Sequence, residues 1–176
     1  MKHLVISCSL SPASRSALLA EHLGGALAAL GGDVETVDLR RLELPFCDGD
    51  DDSADPNVRS LARKIAAADS VALAVPVYNY DVGGAARNLV AMTGSAWTEK
   101  VVGLIAAAGG ERSYMSLMGL ANSLMLDFRS VIVPRFLYAS RAAFSGGRPS
   151  GEMAARLGTL AADLQRFAAA FQGAAA

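Results

Sequence analysis

Three uninterrupted apolar runs constrain this chain more than any other feature: Leu4-Val5-Ile6, Ser70-Val71-Ala72-Leu73-Ala74-Val75 and Val101-Val102-Gly103-Leu104-Ile105-Ala106. A strand with one face in water alternates apolar and polar residues. A run without alternation suits a parallel strand covered on both faces. Helix patterns fill the intervals. The segment 16–30 reads as a helix stopped by Gly31-Gly32, and 34–39 alternates like a strand. Asp55-Pro56 reads as an N-cap with proline at the first helical position, opening a helix over 57–68 with Val58, Leu61, Ile65 and Ala68 on its apolar face. The strand at 70–75 ends at Pro76. A loop over 77–84 then leads to a helix over 85–92.

After the run at Val101 come an apolar segment over 114–128 and a last strand near 130–134. A helix over 150–171 closes the chain, with Met153, Leu157, Leu160, Leu164, Phe167 and Phe171 on one stripe. Five strands alternating with helices predict an α/β fold of three layers around a five-stranded, doubly wound parallel sheet. At 176 residues, with no repeat and no composition shift, a single domain over 1–176 is expected.

The stretch around which the chemistry gathers is Cys8-Ser9-Leu10-Ser11-Pro12-Ala13-Ser14-Arg15-Ser16, between the first strand and the first helix. The free N–H groups and dipole of a helix start attract anions. Serine is also a preferred N-cap, so one serine would indicate no more than a capped helix. Four serines and an arginine in eight residues favour a phosphate cradle. Ligands of such sheets bind beyond the carboxyl ends of the strands, where strand order reverses. Two more loops leave such ends. The loop 76–84 offers aromatic rings and an amide, while the loop 107–113 is small and glycine-bearing, so a flat ring could approach its backbone. Phosphate at one end and a flat heteroaromatic ring at the other describe flavin mononucleotide (FMN). Neither G-x-G-x-x-G after the first strand nor a Walker A motif is present, which argues against a dinucleotide dehydrogenase and a P-loop nucleotidase.

In order and at these strand ends, Ser9-x-Ser11-x-x-Ser14-Arg15-Ser16, Pro76-Val77-Tyr78-Asn79 and Gly109-Gly110 resemble the NADPH-dependent FMN reductase family, over roughly 3–170. The resemblance implies a flavodoxin-like fold, non-covalent FMN, and hydride transfer from NADPH or NADH to the flavin and on to free flavin, a quinone, an azo compound or a similar acceptor. It also implies a homodimer or homotetramer. Carried over by match, Ser9, Ser11, Ser14, Arg15 and Ser16 hold the phosphate. Pro76, Val77, Tyr78 and Asn79, with Tyr80, line the ribityl chain and ring. Gly109 and Gly110 pass close to the ring, and the backbone N–H groups of Ala108 to Gly110 are candidate donors to it. Cys8 stands where many members carry glycine, and Ser11-Pro12-Ala13 replaces a commoner arginine-containing turn. No catalytic side chain and no metal ligand is expected, because the cofactors carry this chemistry.

The alternatives are a flavodoxin-type electron carrier and a flavin-binding module without turnover. Carriers are strongly acidic, whereas this chain has a net charge of -1. The same balance gives no reason to expect nucleic acid or a membrane as partner. Two cysteines, Cys8 and Cys47, make neither a disulfide framework nor a metal spacing. No apolar run reaches the roughly 20 residues of a membrane span, so a cytoplasmic protein is expected. The acidic tract 48–55 lacks an EF-hand register and is expected to be a solvated loop. His3 and His22 lie away from the strand-end loops, and Trp97 is expected to pack. The segment 113–126 is apolar almost all round. It is expected to face another subunit, the competing reading being that residues 136–148 bury it.

Overall fold

The computed structural model describes residues 1–49 and 55–174. Most of the acidic tract (50–54) lies outside them. The central sheet is built on β1 (Lys2–Ser7), β2 (Asp33–Asp38), β3 (Ser70–Tyr78), β5 (Val101–Ala107) and an edge position shared by β6 (Val131–Ile132) and β7 (Leu137–Ala139). A short β4 (Asp81–Val82) pairs back on the end of β3. The order is β2-β1-β3-β5-β6, and every pairing along it is parallel. This is the flavodoxin-like order, and it reverses between β1 and β3.

The expected five strands become five positions carrying six strands, with β4 a seventh on the end of β3. The last position is broken because Pro134 has no N–H for the ladder. Val133 N–H still reaches Val102 O, but Arg135 N–H turns back to Val133 O at 2.7 Å. Pairing resumes at Leu137, opposite Ile105. Pro76 behaves otherwise than expected, since β3 runs through it. Ala74 O accepts from Cys8 N at 2.9 Å. Residues two apart in a strand address the same neighbour, so the N–H that Pro76 lacks would point where β1 has already ended.

Among the described residues five α-helices flank the sheet: α1 (Arg15–Ala29), α2 (Pro56–Ala67), α3 (Gly84–Thr93), α4 (Met118–Phe128) and α5 (Gly151–Ala174). α1 and α5 cover one face. Leu19, Leu23, Leu27, Leu157, Leu160 and Leu164 pack there with Val5 and Ile105. α2, α3 and α4 cover the other through Leu61, Ile65, Leu89, Leu120 and Leu124, packed with Leu4, Ile6 and Leu73. Burying each such leucine contributes roughly 1.5–3 kcal/mol. Gly103 lets α5 settle, because a Cβ there would sit 3.1 Å from Leu164 Cδ2. The α5 stripe is buried from Met153 to Leu164, half-buried at Phe167 and exposed at Phe171.

α2 begins as its sequence indicates, with Asp55 Oδ1 accepting from the N–H groups of Asn57 and Val58. Trp97 is fully buried and donates Nε1–H to Thr93 Oγ1 at 2.7 Å. A second hairpin, β8 (Phe144–Ser145) with β9 (Arg148–Pro149), turns on Gly146 and Gly147 at φ 57° and 75°. Residues 136–148 thus contribute β7 and this hairpin; Phe136 and Tyr138 pack on the cluster that holds Leu117, Leu120 and Leu124, but one side of the apolar segment stays uncovered. Tyr114, Met115, Met118, Met125 and Leu126 are exposed.

Candidate functional site

Adjacent parallel strands lie about 4.8 Å apart, so the ends of β1, β3 and β5 bring all three candidate loops onto one edge within about 10 Å. Cys8 leaves the ladder first. Its side chain points into the core, where burial pushes the thiol far above its ordinary pKa. It is a packing residue, and cysteine at this position does not crowd the crevice.

The loop beyond it is organised by its own hydroxyls. Ser9, buried, accepts from Ser11 N–H at 3.3 Å. Ser14 is the N-cap of α1, its Oγ accepting from Ala17 N–H at 3.0 Å. Both hydroxyls keep their proton to donate. Ser16 is buried in the first turn, and Ser11 is half-buried. The first N–H groups of a helix have no i−4 acceptor, and those of Arg15 and Ser16 find none among the described residues. The Arg15 guanidinium lies 5.7 Å from the Phe144 ring centroid, and its Nη1 is buried without a hydrogen-bond partner. A half-buried arginine with one buried, unpaired nitrogen, on the first turn of a helix whose leading N–H groups are unsatisfied, has the charge and the donors of an anion site.

The second loop is a hairpin, where the sequence indicates a plain loop. Tyr78 pairs with Asp81 across Asn79 and Tyr80, both at positive φ (51° and 66°). Two such residues make the turn whose twist matches a hairpin. Glycine is the ordinary occupant, and a tyrosine there is strained. The turn is held at its foot. Asp81 accepts from Val82 N–H and from Arg87 Nη2 at 2.8 Å. The Arg87 hydrogen bonds hold its carboxyl below the usual range. Gly83 N–H donates to Pro76 O at 2.8 Å, and a Cβ on Gly83 would lie 2.9 Å from Pro76 Cγ. Tyr78 and Tyr80 are 56% and 52% exposed, and the Tyr78 ring lies near Gly83 at the start of the following helix.

In the third loop, Ala108 corrects an expectation. Its N–H donates to Ala139 O at 2.9 Å and belongs to the sheet, leaving Gly109 and Gly110 as the open donors. Both glycines are exposed, and a Cβ on either would meet no atom within 4 Å. Tyr138, which the sequence did not single out, anchors this turn. Its hydroxyl donates to Gly110 O at 2.6 Å and accepts from Ser113 N–H at 3.2 Å. That second bond brings Tyr114 and Met115 beside the glycines. Two further residues prove remote from the crevice, as expected. His3 is buried against Ser70, Nδ1 to Oγ at 2.8 Å, and His22 lies on the outer side of α1. A cavity of about 470 Å³ opens at the β2 edge, lined among others by Asp38, Arg40 and Lys64.

Compared with known proteins, the sequence matches the NADPH-dependent FMN reductase family over residues 1–144. The chain belongs to this family. FMN is the cofactor of these reductases, and a reduced nicotinamide is their electron donor. Solved structures similar to this reductase-family chain include an NADH:FMN oxidoreductase, EMOB, in its apo form (TM-score 0.78, 18% identity, covering 94% of this chain and 88% of that one). An oxidoreductase from Corynebacterium diphtheriae matches with a TM-score of 0.73 and 22% identity, over 94% of each chain. FerB, a flavoenzyme NAD(P)H:(acceptor) oxidoreductase from Paracoccus denitrificans, matches with a TM-score of 0.74 and 20% identity, over 98% and 97%. At such identities the likeness speaks to the fold alone. A search of curated protein sequences gives no match.

Proposed function

We propose that this member holds FMN non-covalently across the three loops and transfers electrons from NADPH or NADH to a small acceptor such as free flavin, a quinone, an azo compound or a metal oxyanion. The phosphate lies against Ser9, Ser11, Ser14, Arg15 and Ser16. The ribityl chain and one side of the ring follow Pro76, Val77, Tyr78 and Asn79, with Tyr80 at the rim. The ring rests over Gly109 and Gly110, with Ala108 beneath them. Hydride transfer and onward reduction are chemistry that the bound flavin supplies. The chain contributes binding, the stacking geometry of two flat rings, and N–H donors at Gly109 and Gly110 aimed at the ring edge. No side chain is assigned as general acid or base.

The observation that carries this reading is the buried, unpaired Arg15 Nη1 beside the open N-terminus of α1, at the point where strand order reverses. The rim supports a small acceptor over a partner protein. Its exposed hydrophobic residues are Tyr78, Tyr80, Tyr114 and Met115, its Asp81 is paired with Arg87, and the chain carries a net charge of -1. The exposed apolar face of α4 favours a homodimer or homotetramer. The protein is assigned to the cytoplasm; no helix among the described residues is long and apolar enough to cross a membrane.

Anaerobic mixing of the FMN-loaded protein with NADPH tests the activity. Rapid bleaching of the flavin band, with nicotinamide oxidation sustained by added quinone or FMN, is the expected result. Bleaching that needs a partner protein supports a carrier instead, and a protein that takes up no flavin refutes both.

A further inference from the structure

Arg40, outside the serine loop and 28 residues along the chain from Pro12, ties that loop to the end of β2. It sits in the short 3₁₀ turn Leu39–Arg41 that follows β2. Asp38, the last residue of β2, caps that turn by accepting from Arg40 N–H at 3.1 Å. The same carboxylate takes the guanidinium side-on, with Nε to Oδ2 at 2.8 Å and Nη2 to Oδ2 as well. That leaves Nη1, which donates to two successive carbonyls of the anion loop, Ser11 O at 3.2 Å and Pro12 O at 3.1 Å. Arg40 lies at the surface, its side chain 28% exposed, while the Asp38 side chain that braces it is 16% exposed. The Arg40 hydrogen bonds hold the Asp38 carboxyl below the usual carboxylate range, keeping it ionised at neutral pH.

The two carbonyls have different consequences. The Ser11–Pro12 peptide has no N–H, so Ser11 O serves as an anchor alone. The Pro12–Ala13 peptide is trans, and in a trans peptide the C=O and N–H point opposite ways. Pulling Pro12 O towards Arg40 therefore turns Ala13 N–H away from Arg40, and that N–H has no acceptor among the described residues.

We infer that Arg40, braced by Asp38, is a positioning residue of the anion loop: its fork on Ser11 O and Pro12 O presents the Ala13 N–H to the phosphate. The inference rests on the reading of that loop as the phosphate site. The charge of Arg40 is matched by Asp38, so its contribution is geometric. A lysine, with one compact ammonium, cannot hold a carboxylate and two carbonyls in this arrangement.

Equilibrium titrations of FMN and of riboflavin, which lacks the phosphate, into wild type, Arg40→Ala and Arg40→Lys test it. The wild type is expected to prefer FMN. Arg40→Ala should weaken FMN about tenfold, as expected for loss of one or two well-placed hydrogen bonds, with riboflavin affinity unchanged. Arg40→Lys should lose nearly as much as Arg40→Ala. Unchanged FMN affinity in Arg40→Ala overturns the inference. Equal weakening of both ligands also overturns it, because that marks general damage to the fold. Full retention in Arg40→Lys assigns the effect to charge and does the same. A wild type that binds riboflavin as tightly as FMN overturns the phosphate reading of the loop, and the fork's role falls with it.

Discussion

Single residues carry the strongest functional signals here, and they are signals of something the chain alone does not need. Gly109 and Gly110 have no positive φ, and a Cβ on either would have no neighbour within 4 Å, so their own fold would accept larger side chains. Glycine at both positions is explained by an approach from outside. Gly110→Leu is therefore expected to abolish FMN uptake while leaving the melting temperature of the flavin-free protein unchanged. Unchanged flavin content, read from the absorbance of the purified variant, would refute a ring over this turn. Asp55 was legible as a cap because a cap is local: its side chain accepts from backbone N–H groups two and three residues away. Arg40 and Tyr138 were not. Their partners on the ligand-facing loops lie 25 to 29 residues away, and no short pattern encodes such a contact.

Elements were readable where burial on both faces leaves a continuous run, and less so where pairing is brief. β3 and β5 follow their apolar runs, yet β3 extends to Tyr78 because the strand that would have needed the Pro76 N–H has already left the sheet. The turn at Asn79 and Tyr80 lacks the glycine that marks a two-residue hairpin, which hid β4. Gly146-Gly147 does mark one, but its arms of two residues each are too short to alternate. Helix starts were more secure. At α2 Asp55 Oδ1 accepts hydrogen bonds from two of the orphan N–H groups, and Asp55→Ala should cost about 1 kcal/mol of stability. Urea denaturation should report this as a lower midpoint with an unchanged slope; an unchanged midpoint would mean the cap is dispensable.

At the level of the whole molecule, the three layers and the strand order put the crevice beside an apolar surface. Met118, Met125 and Leu126 on α4, with Tyr114 and Met115 before it, are 40–76% exposed, and scattered single exposures do not explain a cluster on one helix. Sedimentation velocity is expected to find a dimer or larger, and substituting Leu126→Lys with Met118→Lys should shift it to monomer; a monomeric wild type at micromolar concentration would remove the assembly. The fold was legible because composition and periodicity act on every strand alike. The site was legible in outline because strand ends and helix starts attract ligands for general reasons, while its finer geometry comes from contacts between distant segments. The most direct measurement is a crystal structure of the protein with FMN. The account predicts the phosphate bonded to residues 9–16, including Arg15, and the ring between the 76–80 hairpin and the Gly109-Gly110 turn. FMN bound elsewhere, or lying with its phosphate at the glycine turn, would contradict it.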